Sequence, residues 1–289
     1  MRKQLVKTVT SILEKDPRVV LFLGDIGVFA FREAFERFPD RVYNIGILEQ
    51  ASISVAAGLA TQGMIPVFHT IAPFLVERCL DQLKVDFGYQ KLGGNFISVG
   101  ASYDYSSLGC THHCPGDVQA LKTIPGMQIV VPGHPTEFHA EFRDLYANEK
   151  PTYFRLSEKS NHQPHRSHGD IIQTGQRGTV VAIGPMLDRT IDACQDLDVA
   201  VMYHSVINPL HAFYLQYRAS RKVVIVEPFY EGTMSYDVQR ELGSVPASVR
   251  YIGVPRRFIT SYGTPEQLDE ENGLTTQQIR ARIIEFLGV

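Results

Sequence analysis

The sequence predicts an α/β protein of two three-layer units, each a mostly parallel sheet with helices on both faces, the second unit smaller than the first. Three observations carry this expectation. Short continuous apolar runs such as Arg18-Val-Val-Leu-Phe-Leu23 read as strands buried on both faces. These runs alternate with stretches of helical periodicity at the spacing of parallel sheets. A polar, aperiodic stretch over 157–176 then interrupts the rhythm before it resumes.

The elements follow in order. Leu5, Val9, Ile12 and Leu13 mark an opening helix, which Lys15-Asp16-Pro17 ends. After the strand at 18–23, a helix is expected over 31–37, a strand over 42–45, and a small-residue helix starting near Glu49. A strand at 65–68 precedes one helix over 74–87. Further strands are expected at 96–99, 128–131 and 152–156, with a helix over 135–147 between the last two. The predicted units are residues 1–158 and 178–289, joined by a linker at 159–177. In the second unit, strands fall at 180–183, 199–202, 223–226 and 249–252, and helices at 187–194, 232–242 and 276–287.

A length of 289 residues suits about two domains, and 44% hydrophobic with 20% charged residues is ordinary for a globular protein. The net charge of −3 gives no reason to expect a nucleic-acid or membrane partner. No apolar run approaches the ~20 residues a membrane span needs. Met-Arg-Lys-Gln-Leu-Val-Lys leads into a helix rather than an apolar signal core. Four cysteines in a chain of this length read as reduced thiols, so a cytoplasmic location is expected.

The chemistry centres on Arg41-Val-Tyr-Asn-Ile-Gly-Ile-Leu-Glu-Gln-Ala-Ser-Ile-Ser-Val-Ala-Ala-Gly-Leu-Ala60. Here a strand ends at Asn44-Ile45-Gly46 and Glu49 enters the first turn of a helix, where unpaired N–H groups and the helix dipole favour a carboxylate. On its own, Glu49 could simply complement that dipole. Its context adds more. Asn-Ile-Gly-Ile-Leu-Glu-Gln, the small-residue helix and Gly63-Met-Ile-Pro-Val67 resemble the pyrimidine-binding domain of transketolases and deoxyxylulose phosphate synthases. The resemblance continues through Phe74-Leu-Val-Glu-Arg-Cys-Leu-Asp-Gln82, Gly109-Cys-Thr-His112 and Ile124-Pro-Gly-Met-Gln-Ile-Val-Val-Pro132. It resumes at Val224-Ile-Val-Glu227 and Gly263-Thr-Pro-Glu-Gln-Leu268, in a segment like the transketolase C-terminal domain.

The resemblance implies roles for particular residues. Glu49 would contact the aminopyrimidine of thiamine diphosphate, a cofactor that stores carbanion charge, and its carboxylate would promote removal of the reacting proton. Phe74 matches an aromatic that stacks on that ring, although the local count differs by about one residue and a core role stays open. Asp25 and Ile26 match positions facing the cofactor cleft; an Asp in a strand-end turn can equally be a local cap. His112, 13 residues before Pro125, matches a histidine that hydrogen-bonds substrate, and His113 replaces the family's Gln beside it. Buried, satisfied histidine is the alternative for both. Asp117 is expected to start the next helix.

Two clusters invite a metal reading and argue against it. Four side chains from Cys110-Thr-His-His-Cys114 cannot easily converge on one ion. His162, His165 and His168 read as solvated linker histidines. No metal ligand is therefore assigned.

The substrate half departs from the family. Leu108 stands where many transketolases place an Asp that reads a sugar hydroxyl, and Gly100, Phe29 and Glu158 stand in place of phosphate-binding His, Ser and Arg. A Glu at a phosphate site repels by about 1 kcal/mol even in high dielectric. Arg2 alone matches another phosphate contact, with Lys159 as a possible rescue. The family's Gly-Asp-Gly…Asn signature, which anchors the diphosphate and its metal, is absent; Gly24-Asp25-Ile26 and Gly116-Asp117-Val118 lack the second glycine. The expectation is a C-terminal (beta) subunit of a split transketolase with a non-standard sugar substrate. A partner N-terminal subunit would supply the diphosphate loop and Mg²⁺ or Ca²⁺, and the two would share thiamine diphosphate in an α2β2 assembly. The alternatives are a 2-oxo acid dehydrogenase beta subunit, a deoxyxylulose phosphate synthase-like enzyme, or a non-catalytic assembly partner.

Overall fold

The computed structural model describes residues 1–165, 168–212, 215–216 and 220–289. Among them, the first unit runs α1 (Arg2–Lys15), β1 (Val19–Leu23), α2 (Arg32–Arg37), β2 (Val42–Asn44), α3 (Glu49–Ala60), β3 (Ile65–Ile71), α4 (Ala72–Val76), α5 (Leu80–Gln82), β4 (Gly94–Val99), α6 (Asp117–Leu121), β5 (Gln128–Val130), α7 (Pro135–Leu145) and β6 (Pro151–Arg155). The second runs β7 (His168–Gln173), β8 (Thr179–Ile183), α8 (Leu187–Ala193), β9 (Ala200–His204), β10 (Val206–Asn208), β11 (Lys222–Tyr230), α9 (Ser235–Leu242), β12 (Ser248–Val254), α10 (Pro265–Glu271) and α11 (Thr276–Leu287).

The strands form a seven-stranded sheet ordered β10-β5-β6-β4-β3-β1-β2 and a five-stranded sheet ordered β12-β11-β8-β9-β7. Pairing is parallel except at one edge of each, where β10 and β7 run antiparallel to β5 and β9. The apolar run of β1 is buried throughout, as its composition requires. In α1, Leu5, Val9, Ile12 and Leu13 face the core together with Thr8. One apolar cluster joins the units, linking Phe22, Phe68 and Phe96 of the first sheet with Val181, Met202 and Ile225 of the second.

Four features differ from the sequence expectations. The stretch 159–177 is not only linker, because it contains β7, an edge strand whose half-exposed residues leave no long apolar run. The second unit also lends β10 to the first sheet, a three-residue strand too short to read from sequence. The helix expected over 74–87 is broken into α4, α5 and a π-helical segment Leu83–Tyr89. A shift from i→i+4 to i→i+5 bonding widens the turn there, and Leu83 and Phe87 are buried. The fourth is α10, which the sequence reading did not place; a full capping box between Thr264 and Gln267 starts it.

Candidate active site

Strands β4, β3, β1 and β2 are adjacent and parallel, so the loops leaving their C-terminal ends meet along one edge. Such an edge is where open α/β sheets bind ligands. The residues singled out from the sequence leave these four strand ends. Asp25 and Ile26 follow β1, Glu49 follows β2, Phe74 follows β3, and His112 and His113 lie in the long loop after β4.

Gly46 turns the chain between β2 and α3 with φ 78°, a left-handed conformation that suits glycine. Glu49 then enters the first turn of α3, which no side chain caps. Its carboxylate is 5% exposed, and its two oxygens accept hydrogen bonds from Arg78 Nη1 at 3.2 and 3.3 Å. The same guanidinium lies over the Phe74 ring, 3.9 Å from its centroid. Phe74 also meets His112, edge-on at 5.2 Å. His112 in turn meets the ring of Tyr105 at 6.3 Å and contacts Thr111 Oγ1 through Nδ1 at 3.0 Å. Glu49, Arg78, Phe74, His112 and Tyr105 thus form one connected string at this edge. Sequence reasoning missed Arg78 and Tyr105. The signal for Arg78 was its position four residues after Phe74, the spacing at which helical neighbours touch.

The remaining expected residues lie around this string. Asp25 holds φ 65° and exchanges hydrogen bonds with Asn44, its N–H donating at 3.1 Å and its Oδ1 accepting at 3.2 Å. That is a local clasp between the ends of β1 and β2. Ile26 packs against the apolar cluster under α1. His113 is buried against Tyr103, and neither ring nitrogen has a hydrogen-bond partner among the described residues. Burial pushes its pKa down, against a weaker upward pull from the Tyr105 main chain, which lies outside hydrogen-bond geometry. Arg2 does not join Glu49. It lines a separate cleft of about 450 Å³ with Lys3, Lys7 and Glu158.

The family departures have structural counterparts. A Cβ at Gly100 would lie 2.5 Å from the Tyr105 ring, so that ring takes the space a larger residue would need. Leu108 and Phe29 are exposed. Lys159 is committed to Asp269, with Nζ at 2.7 and 2.6 Å from its two oxygens. Cys110 is exposed while Cys114 is buried, its thiol donating to Glu77 Oε1 at 3.6 Å. No group of three or more His, Cys, Asp or Glu able to hold a metal ion occurs among the described residues. Asp117, the first residue of α6, is fully buried and accepts from Arg155 Nε at 2.7 Å and from Tyr153 Oη at 2.8 Å.

Residues 1–163 match the family described as transketolase, pyrimidine binding domain. The chain belongs to that family. It is 40% identical to an uncharacterized 33.6 kDa protein of the fasciation locus of Rhodococcoides fascians, over 97% of this chain and 93% of that one. It is 28% identical to 1-deoxy-D-xylulose-5-phosphate synthase of Magnetococcus marinus, over 99% of this chain but 49% of the relative. This transketolase-family chain therefore spans about half the length of such synthases. Among solved structures, a split-gene transketolase in the form of an inactive beta4 tetramer superposes with a TM-score of 0.88 at 26% identity, covering 99% of this chain and 98% of that one. The Campylobacter jejuni transketolase shares the fold, with a TM-score of 0.81 at 15% identity over 98% of this chain and 46% of that one. No helix among the described residues is long and apolar enough to cross a membrane.

The cleft residues fit the pyrimidine end of thiamine diphosphate. A buried carboxylate and an aromatic face stand close enough for one flat hydrogen-bond donor, the guanidinium of Arg78, to touch both. A flat aminopyrimidine makes the same two demands.

Proposed function

We propose that this chain is the pyrimidine-binding subunit of a split, thiamine diphosphate-dependent enzyme that transfers a two-carbon ketol unit between sugars, with a substrate other than the usual pentose phosphates. One observation carries the reading: Glu49 is buried in the first turn of α3 at the C-terminal edge of the sheet, and Arg78 connects it to Phe74, which His112 meets edge-on. The cofactor, when bound, would supply the carbanion-stabilising centre. Glu49 would hold a proton at its carboxylate against the pyrimidine ring nitrogen, and Phe74 would present its ring face to that pyrimidine. His112 would donate to an oxygen of the substrate. Asp25 and Ile26 would line the cleft from the end of β1, and His113 would stand behind His112. Arg2 would attract an anionic part of the substrate from the separate cleft it lines.

The diphosphate and its Mg²⁺ or Ca²⁺ would be held by a separate N-terminal subunit, because no Gly-Asp-Gly…Asn signature occurs in this sequence. Ile47, Leu48 and Val55 expose apolar surface at and beside the start of α3, which suits burial against another chain in an α2β2 assembly. The beta4 tetramer of the similar split-gene protein is described as inactive, which fits a beta chain that works only with its partner. Residues 1–158 would act as the pyrimidine-binding unit and 178–289 as the C-terminal unit. All four cysteines are free, in keeping with work in the cytoplasm.

A second reading has its own support. The similarity to deoxyxylulose phosphate synthases allows a decarboxylating enzyme that takes a 2-oxo acid as donor. The deciding experiment combines this chain with an N-terminal subunit bearing the missing signature. It then assays ketose donors and 2-oxo acids against phosphorylated and unphosphorylated aldoses. Turnover of a ketose donor that disappears in Glu49→Ala, with assembly intact, supports the proposal. Turnover confined to 2-oxo acids supports the second reading. Full activity of Glu49→Ala removes both.

A further inference from the structure

Arg78 touches the two groups proposed to hold the cofactor ring, and it touches them in the free chain. Its guanidinium is planar, cationic and a hydrogen-bond donor, and its N–C–N edge resembles that of an aminopyrimidine. Nη1 serves both Glu49 oxygens, while the flat face covers Phe74 at contact distance. Phe74 cannot offer that face to a second ring while the guanidinium is there. The other guanidinium nitrogens make no hydrogen bond among the described residues, so this is not the two-nitrogen fork of a locked pair. Exposure is also uneven. The Arg78 side chain is 46% exposed and Glu49 only 5%, so the arginine lies on the solvent side and can leave.

We propose that Arg78 is an internal stand-in for the aminopyrimidine. It is a positioning residue that keeps Glu49 and Phe74 in their bound arrangement and must be displaced when the ring enters. The inference rests on the reading of Glu49 and Phe74 given above. Cofactor uptake is then an exchange, and the measured affinity is lowered by the work of freeing the arginine.

The test uses this chain reconstituted with the N-terminal subunit that would hold the diphosphate, and it needs no turnover. In the free protein, the ring current of Phe74 should shift the Arg78 Nε–Hε resonance, which is assigned by its loss in Arg78→Lys. Titration with thiamine diphosphate and Mg²⁺ should move this resonance to the position of exposed arginines, in step with saturation read from the ligand's own signals. Arg78→Met should bind the same ligand more tightly, by roughly tenfold for every 1.4 kcal/mol the exchange costs. A ligand that saturates while Arg78 keeps its shifted resonance overturns the inference, and so does an Arg78→Met chain that binds no better than the wild type. If neither reconstituted complex, wild type or Arg78→Met, takes up ligand at millimolar concentration, the reading of the site falls and this inference falls with it.

Discussion

Two arginine–carboxylate pairs in this chain behave in opposite ways, and the contrast separates a fold element from a site. Asp117 and Arg155 are 0% and 1% exposed, joined at 2.7 Å, with Tyr153 and the Val118 N–H completing the carboxylate's partners. Arg155 also donates to Ser102, whose hydroxyl donates to the Pro228 carbonyl of the second unit. Two guanidinium nitrogens and both carboxylate oxygens are engaged, and the pair ties loop, sheet and second unit together. Glu49 and Arg78 meet through a single nitrogen at longer range, with the arginine half in solvent. Both carboxylates start a helix, so sequence alone could not tell them apart. The difference lies in what surrounds each arginine: Arg155 is enclosed by protein, whereas Arg78 is 46% exposed.

The contrast can be sharpened by experiment, starting with the largest effect. In the reconstituted enzyme, Glu49→Gln should lower turnover by about 10²–10⁴-fold, the usual worth of a positioned proton-transfer group, with the thermal midpoint of the chain unchanged. The buried pair should show the reverse. Arg155→Met leaves Asp117 charged and unpaired in the interior and should cost about 3–5 kcal/mol in denaturant unfolding.

A third effect is one of pH. Burial pushes Glu141 up to about 8 from an ordinary 4.5, and Ser205 donating to it only partly offsets this. Burial raises Glu227 to about 8 as well, against the Gly232 and Met234 N–H groups. Between pH 4.5 and 8 the folded chain therefore holds protons that the unfolded chain has lost, so stability falls as pH rises through that window. Glu141→Gln should flatten this slope in a series of thermal melts, and an unchanged slope would place the proton elsewhere. The smallest effect belongs to Arg78→Met. It should change unfolding free energy by no more than about 1 kcal/mol, because the arginine is half exposed and water can replace the guanidinium. A loss as large as that of Arg155→Met would make the two pairs equivalent and remove the contrast.

Much of the fold was legible because burial on two faces leaves a direct trace. The run Val19–Leu23 and the periodic Leu5, Val9, Ile12 and Leu13 could hardly fold otherwise. Edges were not legible. Strand β7 holds exposed Ile171 beside polar neighbours, and β10 is three residues attached to a sheet built mostly from distant sequence. The break between α4 and the π-helical segment was hidden because the buried Leu75, Cys79, Leu83 and Phe87 recur every four residues, which reads as one helix. At the site, Glu49, Phe74 and His112 could be named from local motifs. Arg78 could not be assigned from its own stretch, because its carboxylate partner lies 29 residues away in the chain. Tyr105 was hidden in the same way, by a glycine at position 100 whose missing side chain makes room for its ring.

The central claim is that this chain supplies the pyrimidine side of a shared cofactor site. The most direct measurement is a crystal structure of the reconstituted complex grown with thiamine diphosphate and Mg²⁺. The account predicts a Glu49 carboxylate oxygen about 3 Å from a pyrimidine ring nitrogen, with Phe74 against the ring and the diphosphate on the partner chain. A cofactor bound with its pyrimidine away from Glu49, or held wholly within one kind of subunit, would contradict it.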